Sequence, residues 1–239
     1  MTSTAAPAYV ALGDSISIDD YSGGPGRGGP SLLFRNRDDD FPQWRGRDLV
    51  TEQPGAAFHL LATDGATTTT LLGYQLPRLE AVGVRPTLVT LTIGGNDVLS
   101  TYGSTSAALR VIDEVETAVG RALTRLEPLL APDAQVVIGT MYDPSDGTGD
   151  AQRLGLPPWP DAVHVITELN EALRSVATRH GVAVAEIGEH FQGHGVLAGD
   201  AARPDPRPAE RDLWFCSVME PNAWGANGVR EAFWAALRH

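Results

Sequence analysis

Short apolar segments alternate along this chain with segments of helical period. Five mostly apolar stretches predict strands, and Gly, Pro, Asp or Asn borders each of them. They are residues 8–12, 57–62, 88–93, 135–141 and 182–187. Polar residues are too rare within these stretches for one face to be in water, which is typical of strands buried on both faces of a parallel sheet.

Three other segments place apolar residues at steps of three and four, and we expect helices there. They are Leu109, Ile112, Val115, Val119, Leu123, Leu126 and Leu130; then Ala162, Ile166, Leu169, Leu173 and Val176; then Val229, Phe233 and Leu237. Strands that alternate with helices in this way predict a three-layer α/β/α sandwich with right-handed crossovers. A chain of 239 residues suits one such domain, here residues 1–239.

Two segments interrupt the alternation and are expected to be long loops. Residues 18–47 are rich in glycine at their start, and residues 192–211 contain Gly193-His194-Gly195 and several prolines. Long loops in a small domain are usually functional or disordered. Because the first segment follows a strand directly, it is expected to form a wall or lid of the ligand crevice at the carboxyl ends of the strands.

Composition excludes several classes of function. The net charge of −12 disfavours a nucleic-acid partner held through phosphate contacts. No apolar run reaches the roughly 18 residues of a membrane helix, so no membrane partner is expected.

The first residues lack a secretory signal pattern, and Cys216 is the single cysteine, so a cytoplasmic location is expected. No zinc spacing and no phosphate-loop or dinucleotide motif appears, so neither metal nor cofactor is expected.

Residues able to carry chemistry follow three of the predicted strands. Ser15 lies in Gly13-Asp14-Ser15-Ile16-Ser17 after the first strand, and its hydroxyl can act as a nucleophile. Gly65, after the second strand, can bring a backbone N–H close to a bound oxygen. Asn96, after the third, carries an amide that can donate to an oxyanion. The three together point to acyl chemistry more strongly than any one of them.

These blocks resemble those of the SGNH (GDSL-type) hydrolases, which contribute Ser, Gly and Asn in this order. The resemblance implies a flavodoxin-like strand order, 2-1-3-4-5. It also implies that Ser15 is the nucleophile, and that Ser15 N–H, Gly65 N–H and the Asn96 side chain form the oxyanion hole. The expected function is a serine-dependent hydrolase or acyltransferase that acts on an ester, thioester or related small-molecule acyl substrate.

The fourth block departs from the family pattern, Asp-x-x-His-Pro-Asn-x-x-Gly. Pro, Asn and Gly are present in residues 217–225, but Ser217 stands at the Asp position and Glu220 at the His position. Three interpretations remain open. Glu220 is itself the base; or His190 or His194 is the base and Glu220 orients it; or the base is lost. In the last case the protein is a non-hydrolytic member of the fold that binds a ligand or uses the oxyanion hole in a biosynthetic reaction.

Overall fold

The computed structural model describes residues 6–199 and 212–238, and its centre is a five-stranded parallel sheet. The strands are β1 (Ala8–Gly13), β2 (Ala57–Leu60), β3 (Leu88–Thr92), β4 (Gln135–Gly139) and β5 (Ala183–Ala185). Their order is β2-β1-β3-β4-β5, and every neighbouring pair is parallel. The predicted strands, the parallel pairing and the flavodoxin-like order are therefore confirmed.

Helices cover both faces of the sheet. They are α1 (Gly29–Phe34), α2 (Leu49–Glu52), α3 (Thr68–Thr70), α4 (Leu76–Val82), α5 (Gly95–Leu99), α6 (Thr105–Leu126), α7 (Ala162–His180), α8 (Ile187–Phe191) and α9 (Ala223–Ala236). Helix α6 packs against α7, whereas α9 packs against α1 and α8. The three helices expected from periodicity correspond to α6, α7 and α9. Within the described ranges, no helix has both the length and the apolar character needed to cross a bilayer.

The position of β1 in the sheet determines where the strand ends meet. All residues of β1 and β3 are buried, because these strands lie inside the sheet and are covered by helices on both faces. Strand β1 pairs with β2 on one side and β3 on the other, with Gly13 opposite Thr92 in the register. The segments that leave these three strands therefore start side by side at one edge of the sheet.

The expectation of one long loop over residues 18–47 is wrong. The segment contains α1 and two short 3₁₀ turns, Asp20–Ser22 and Pro42–Trp44. Pro30 lies in the first turn of α1, where its missing N–H has no intrahelical role. Leu32, Phe41, Trp44 and Ala226 form a small second core. The segment thus covers α9. Within the described part of the chain, the segment contributes no residue to the lining of the pocket that contains Ser15, but its Tyr21 hydroxyl donates to Asp64, next to Gly65, at 3.2 Å. Its role as a wall or lid stays a prediction.

The second expected loop, residues 192–211, is described only in part. Its first residues, 192–199, contain turns and no helix or strand. The segment 200–211 lies outside the described residues.

Candidate active site

Ser15 sits at the carboxyl end of the central strand in a tightly defined turn. Gly13, the last residue of β1, has φ of +125°, and a Cβ there would lie 2.1 Å from the carbonyl oxygen of Thr92. The Asp14 N–H donates to the same carbonyl oxygen at 3.0 Å. The Asp14 carboxylate then accepts from Ile16 N–H at 3.2 Å, which caps the 3₁₀ turn that Ser15 begins. This turn requires glycine at position 13 and holds the buried Ser15 hydroxyl at the strand end.

Asp14 connects the turn that contains Ser15 to strand β3. Its carboxylate accepts from the Thr92 hydroxyl at 2.8 Å, and the Thr92 hydroxyl is also 2.8 Å from the Ser17 hydroxyl. Burial raises the pKa of Asp14 to about 7; the hydrogen bond from Thr92 acts against this, and the charge of Glu220 adds to it. The sequence reasoning missed this role, although Asp14 directly follows a strand predicted to be buried.

Asn96 is held toward the turn that follows β2. It lies in α5, and its Nδ2 donates to the carbonyl oxygen of Ala66 at 3.0 Å. The neighbouring Asp97 carboxylate accepts from Thr68 N–H at 3.0 Å and from the Thr68 hydroxyl at 2.6 Å. Gly65 precedes Ala66, has φ of +64° and is exposed, with open space where a Cβ would be. These bonds connect the second and third sequence blocks directly.

A single cavity of about 100 Å³ contains three of the predicted site residues, Ser15, Asn96 and Glu220, in its lining. Gly65 is not part of that lining, but it is one residue from the carbonyl that accepts from Asn96. The other side chains that line the cavity are mostly apolar. They include Ile16, Val98, Leu99, Tyr102, Met141, Leu156, Trp159, Val165, Ile166 and Leu169.

Glu220 reaches this cavity from a short hairpin. Strands β6 (Phe215–Cys216) and β7 (Glu220–Pro221) pair antiparallel, so Glu220 lies opposite Cys216. The Tyr142 hydroxyl donates to Met219 O at 2.7 Å and secures the residue before Glu220. Ser217 lies exposed in the connecting turn with φ of +43°, so it is not placed to orient a catalytic base.

The Asn residue of the fourth block has a structural role. The Asn222 side chain caps α9, because its oxygen accepts from Trp224 N–H at 2.9 Å and Gly225 N–H at 3.0 Å. Its Nδ2 donates to the carbonyl oxygen of Leu213 at 2.7 Å. The block thus fixes the start of α9 and the position of Glu220 just before it.

The environment of Glu220 makes its carboxylate a stronger base than usual. Burial raises the pKa of Glu220, the adjacent Ser15 hydroxyl lowers it, and the negative charge of Asp64 raises it. Glu220 Oε2 is buried and has no hydrogen-bond partner among residues 6–199 and 212–238. A carboxylate with a spare buried oxygen beside the Ser15 hydroxyl is suited to accept that hydroxyl proton.

The two candidate histidines lie elsewhere. His194 is buried, its ring stacks on Trp214 with 3.7 Å between ring centroids, and its Nδ1 is 2.7 Å from the carbonyl oxygen of Asp212. The Nδ1 of His190 is 3.1 Å from Glu186 O in its own helical turn. Neither histidine lines the cavity that contains Ser15, as far as the described chain shows. The geometry therefore favours Glu220 over a histidine, and the proposed roles of His190 and His194 gain no support.

No metal centre is found in the described ranges. There, no group of three or more His, Cys, Asp or Glu side chains is arranged to hold a metal ion. The acidic residues that line the cavity have other roles. Asp14 accepts from the Thr92 hydroxyl, Asp143 accepts from Ser145 N–H and Gly147 N–H at 2.8 Å each, and Glu220 lies beside Ser15.

Sequence comparison places this constellation in a family. Residues 11–225 match the family described as GDSL-like Lipase/Acylhydrolase. The chain belongs to that family. The protein is thus a hydrolase, which favours the hydrolytic interpretation over the non-hydrolytic one that Glu220 and Ser217 had left open. The match also confirms the resemblance to SGNH hydrolases drawn from the blocks around Ser15, Gly65 and Asn96. No curated protein sequence matches the chain significantly.

Solved structures of the same fold include lipases and esterases. An extracellular lipase from Streptomyces rimosus shares 25% identity with a TM-score of 0.62, over 97% of this chain and all of that one. Phospholipase A1 from Streptomyces albidoflavus NA297 shares 23% identity with a TM-score of 0.61, over 98% of this chain and 100% of that chain. An acetylxylan esterase from Geobacillus stearothermophilus shares 16% identity with a TM-score of 0.65, over 99% and 96% of the two chains. Because one of these relatives is extracellular, the cytoplasmic location of this acylhydrolase stays a prediction.

Proposed function

We propose that this acylhydrolase cleaves a small-molecule carboxylic ester or thioester with Ser15 as nucleophile and Glu220 as the base that activates it. One observation carries the proposal. Ser15, Asn96 and Glu220 line one cavity, and the Ser15 hydroxyl lies beside a carboxylate whose pKa is raised by burial. A nucleophile, its base and an oxyanion donor are the minimum set for acyl transfer through an acyl-enzyme.

The reaction proceeds in two balanced halves. Glu220 accepts the Ser15 proton while Oγ bonds to the substrate carbonyl carbon, and the carbonyl π electrons move onto oxygen. The tetrahedral intermediate then expels the alcohol or thiol, which takes the proton from Glu220. In the second half Glu220 accepts a proton from water, the hydroxide bonds to the acyl carbon, and Ser15 leaves with its proton restored. Transfer to an acceptor other than water uses the same intermediate, and this acyltransferase activity stays a prediction.

The developing negative charge is assigned to three donors: Ser15 N–H, Gly65 N–H and the Asn96 side chain. An amide nitrogen carries two hydrogens, so Asn96 can keep its bond to the carbonyl of Ala66 while the second N–H points to substrate. The bond to Ala66 orients the amide before the substrate arrives. Such preorganisation avoids reorganisation during the reaction.

A carboxylate is a weaker base than imidazole, because its ordinary pKa is about two units lower. The surroundings of Glu220 reduce this difference in pKa. Burial and the charge of Asp64 both raise the pKa of Glu220. They therefore favour uptake of the serine proton by Glu220.

The apolar lining of the cavity is suited to bind the acyl part of the substrate. Val98, Leu99, Trp159 and Leu169 line the cavity together with Ser15. Burial of methylene groups against such walls contributes about 0.8 kcal/mol per CH₂. We therefore assign the acyl chain to this cavity and the leaving group to the solvent side of Ser15.

Asn96→Ala is expected to lower kcat for a p-nitrophenyl ester by about 10²–10³-fold, the usual cost of one oxyanion donor. Measured with p-nitrophenyl butyrate, the effect should fall on kcat more than on KM, because the interaction strengthens as charge develops. Ser100→Ala, an exposed substitution just after α5, is the control and should retain wild-type rates. A wild-type protein without turnover above background, or Asn96→Ala with an unchanged kcat, would refute the proposed function.

A further inference from the structure

A fully buried glutamine holds the backbone from which the Ser15 turn starts. Gln75 Oε1 accepts from Gly13 N–H at 2.8 Å, and its Nε2 donates to Gly13 O at 2.7 Å and to the Thr63 hydroxyl at 3.1 Å. The side chain has no exposed surface. One amide thus pairs with both polar groups of Gly13, as a neighbouring strand would.

The pairing occurs where β1 no longer has a strand partner on its β2 side, although Gly13 still faces Thr92 of β3. On the β2 side, the ladder ends at Leu60, and beyond it Thr63 N–H donates to Gly13 O at 3.0 Å. The Gly13 N–H has Gln75 as its partner. Buried backbone groups left unpaired are costly, so Gln75 allows the chain to leave the sheet at Gly13.

An irregular helix brings Gln75 to this position. Residues Leu71–Gln75 form a π-helical turn between α3 and α4, and Leu76 N–H donates to Leu71 O. Pro77 has no N–H for the next bond of this kind, and Leu72 O instead accepts from Arg125 at 2.8 Å. A π-helical turn inserts a residue and is frequently found at functional sites.

We propose that Gln75 is a positioning residue for catalysis, which sets the location of Ser15 through Gly13. This inference rests on the proposed function of Ser15. Only Asp14 separates Gly13 from Ser15, and the Ser15 N–H is one of the assigned oxyanion donors. Displacement of a reacting group by about 1 Å is enough to lower a rate about 10²-fold. Gln75 is not part of the cavity lining in the described chain, so it acts through its bonds to the Gly13 backbone and to the Thr63 hydroxyl.

The test compares Gln75→Met with a matched variant at the opposite end of the sheet. Gln135 Nε2 donates to Arg238 O at 3.1 Å, and its Oε1 accepts from Arg238 N–H at 2.8 Å, so this glutamine also pairs with one residue's backbone. Gln75→Met is expected to lower kcat for p-nitrophenyl butyrate about 10²-fold with KM within threefold. Gln135→Met should keep both constants. Hydrogen exchange should show a loss of protection at the Gly13 amide in Gln75→Met alone.

Folded Gln75→Met with wild-type kcat, or with a loss confined to KM, overturns the inference. If Gln75→Met does not fold, Gln75→Glu decides, because its carboxylate retains the acceptor for Gly13 N–H and loses the donor to Gly13 O. Its kcat is expected between those of wild type and background, and a wild-type value contradicts the inference. Absence of ester hydrolysis in the wild-type protein refutes the proposed function instead, so the two failures are distinguishable.

Discussion

Glu220→Gln is expected to lower kcat/KM for p-nitrophenyl butyrate by about 10²–10⁴-fold, the usual contribution of a positioned acid–base group. The substitution keeps the size and the hydrogen-bonding oxygen of the side chain but removes its capacity to accept a proton. The Ser15 hydroxyl would then lose the nearby carboxylate that is proposed to take its proton. Initial rates over a range of ester concentrations measure the effect.

His194→Gln is the control for this prediction, because His194 stacks on Trp214 outside the cavity. It is expected to retain kcat within threefold wherever the protein remains folded. A large loss in His194→Gln together with a small loss in Glu220→Gln would reverse the assignment, with the histidine as base and the carboxylate as its partner. Comparable thermal unfolding midpoints ensure that the comparison concerns chemistry.

Ser15→Ala is expected to reduce ester hydrolysis to near background, a loss of about 10⁴–10⁶-fold in kcat. The nucleophile is deleted while the oxyanion donors and the cavity remain, so substrate binding should persist. The variant should fold, because the Asp14 carboxylate, which caps the turn, remains in place. Steady-state rates of wild type and variant with the same ester, at known enzyme concentration, quantify the loss.

A hydrolysis rate that is unchanged in Ser15→Ala would show that the turnover belongs to another group or to a contaminant. Binding of a non-hydrolysable ether analogue by the variant, with wild-type affinity, is the companion measurement. It separates loss of the nucleophile from collapse of the cavity.

Most of the fold is readable from the sequence, because the five strands are short apolar runs that one sheet buries on both faces. The strand order follows from the resemblance that the Ser15, Gly65 and Asn96 blocks carry. The placement of Ser15 and Asn96 in one cavity then follows from topology, since adjacent parallel strands end at the same edge. The strands and the motif blocks can be predicted because each is a short pattern of neighbouring residues.

Other features depend on tertiary contacts that no local pattern reveals. Residues 18–47 contain helices because Leu32, Phe41 and Trp44 find a second core on α9, which overrides the high glycine content at the start of the segment. The choice between Glu220 and His194 required knowing which side chain faces Ser15. Gln75 carries no sequence signal beyond Pro77 two residues later, which marks an irregular helix.

The central claim is that Glu220 takes the proton from Ser15, and the rate of Ser15 phosphonylation as a function of pH tests it most directly. With a phosphonofluoridate and peptide mass spectrometry, the adduct should form on Ser15. The carboxylate is the active form and its pKa is raised, so the rate should be low at acidic pH and rise to a plateau, with a midpoint above the usual glutamate range. Glu220→Gln should react slowly and lack this rise. An adduct absent from Ser15, or equal rate profiles for the two proteins, would contradict the account.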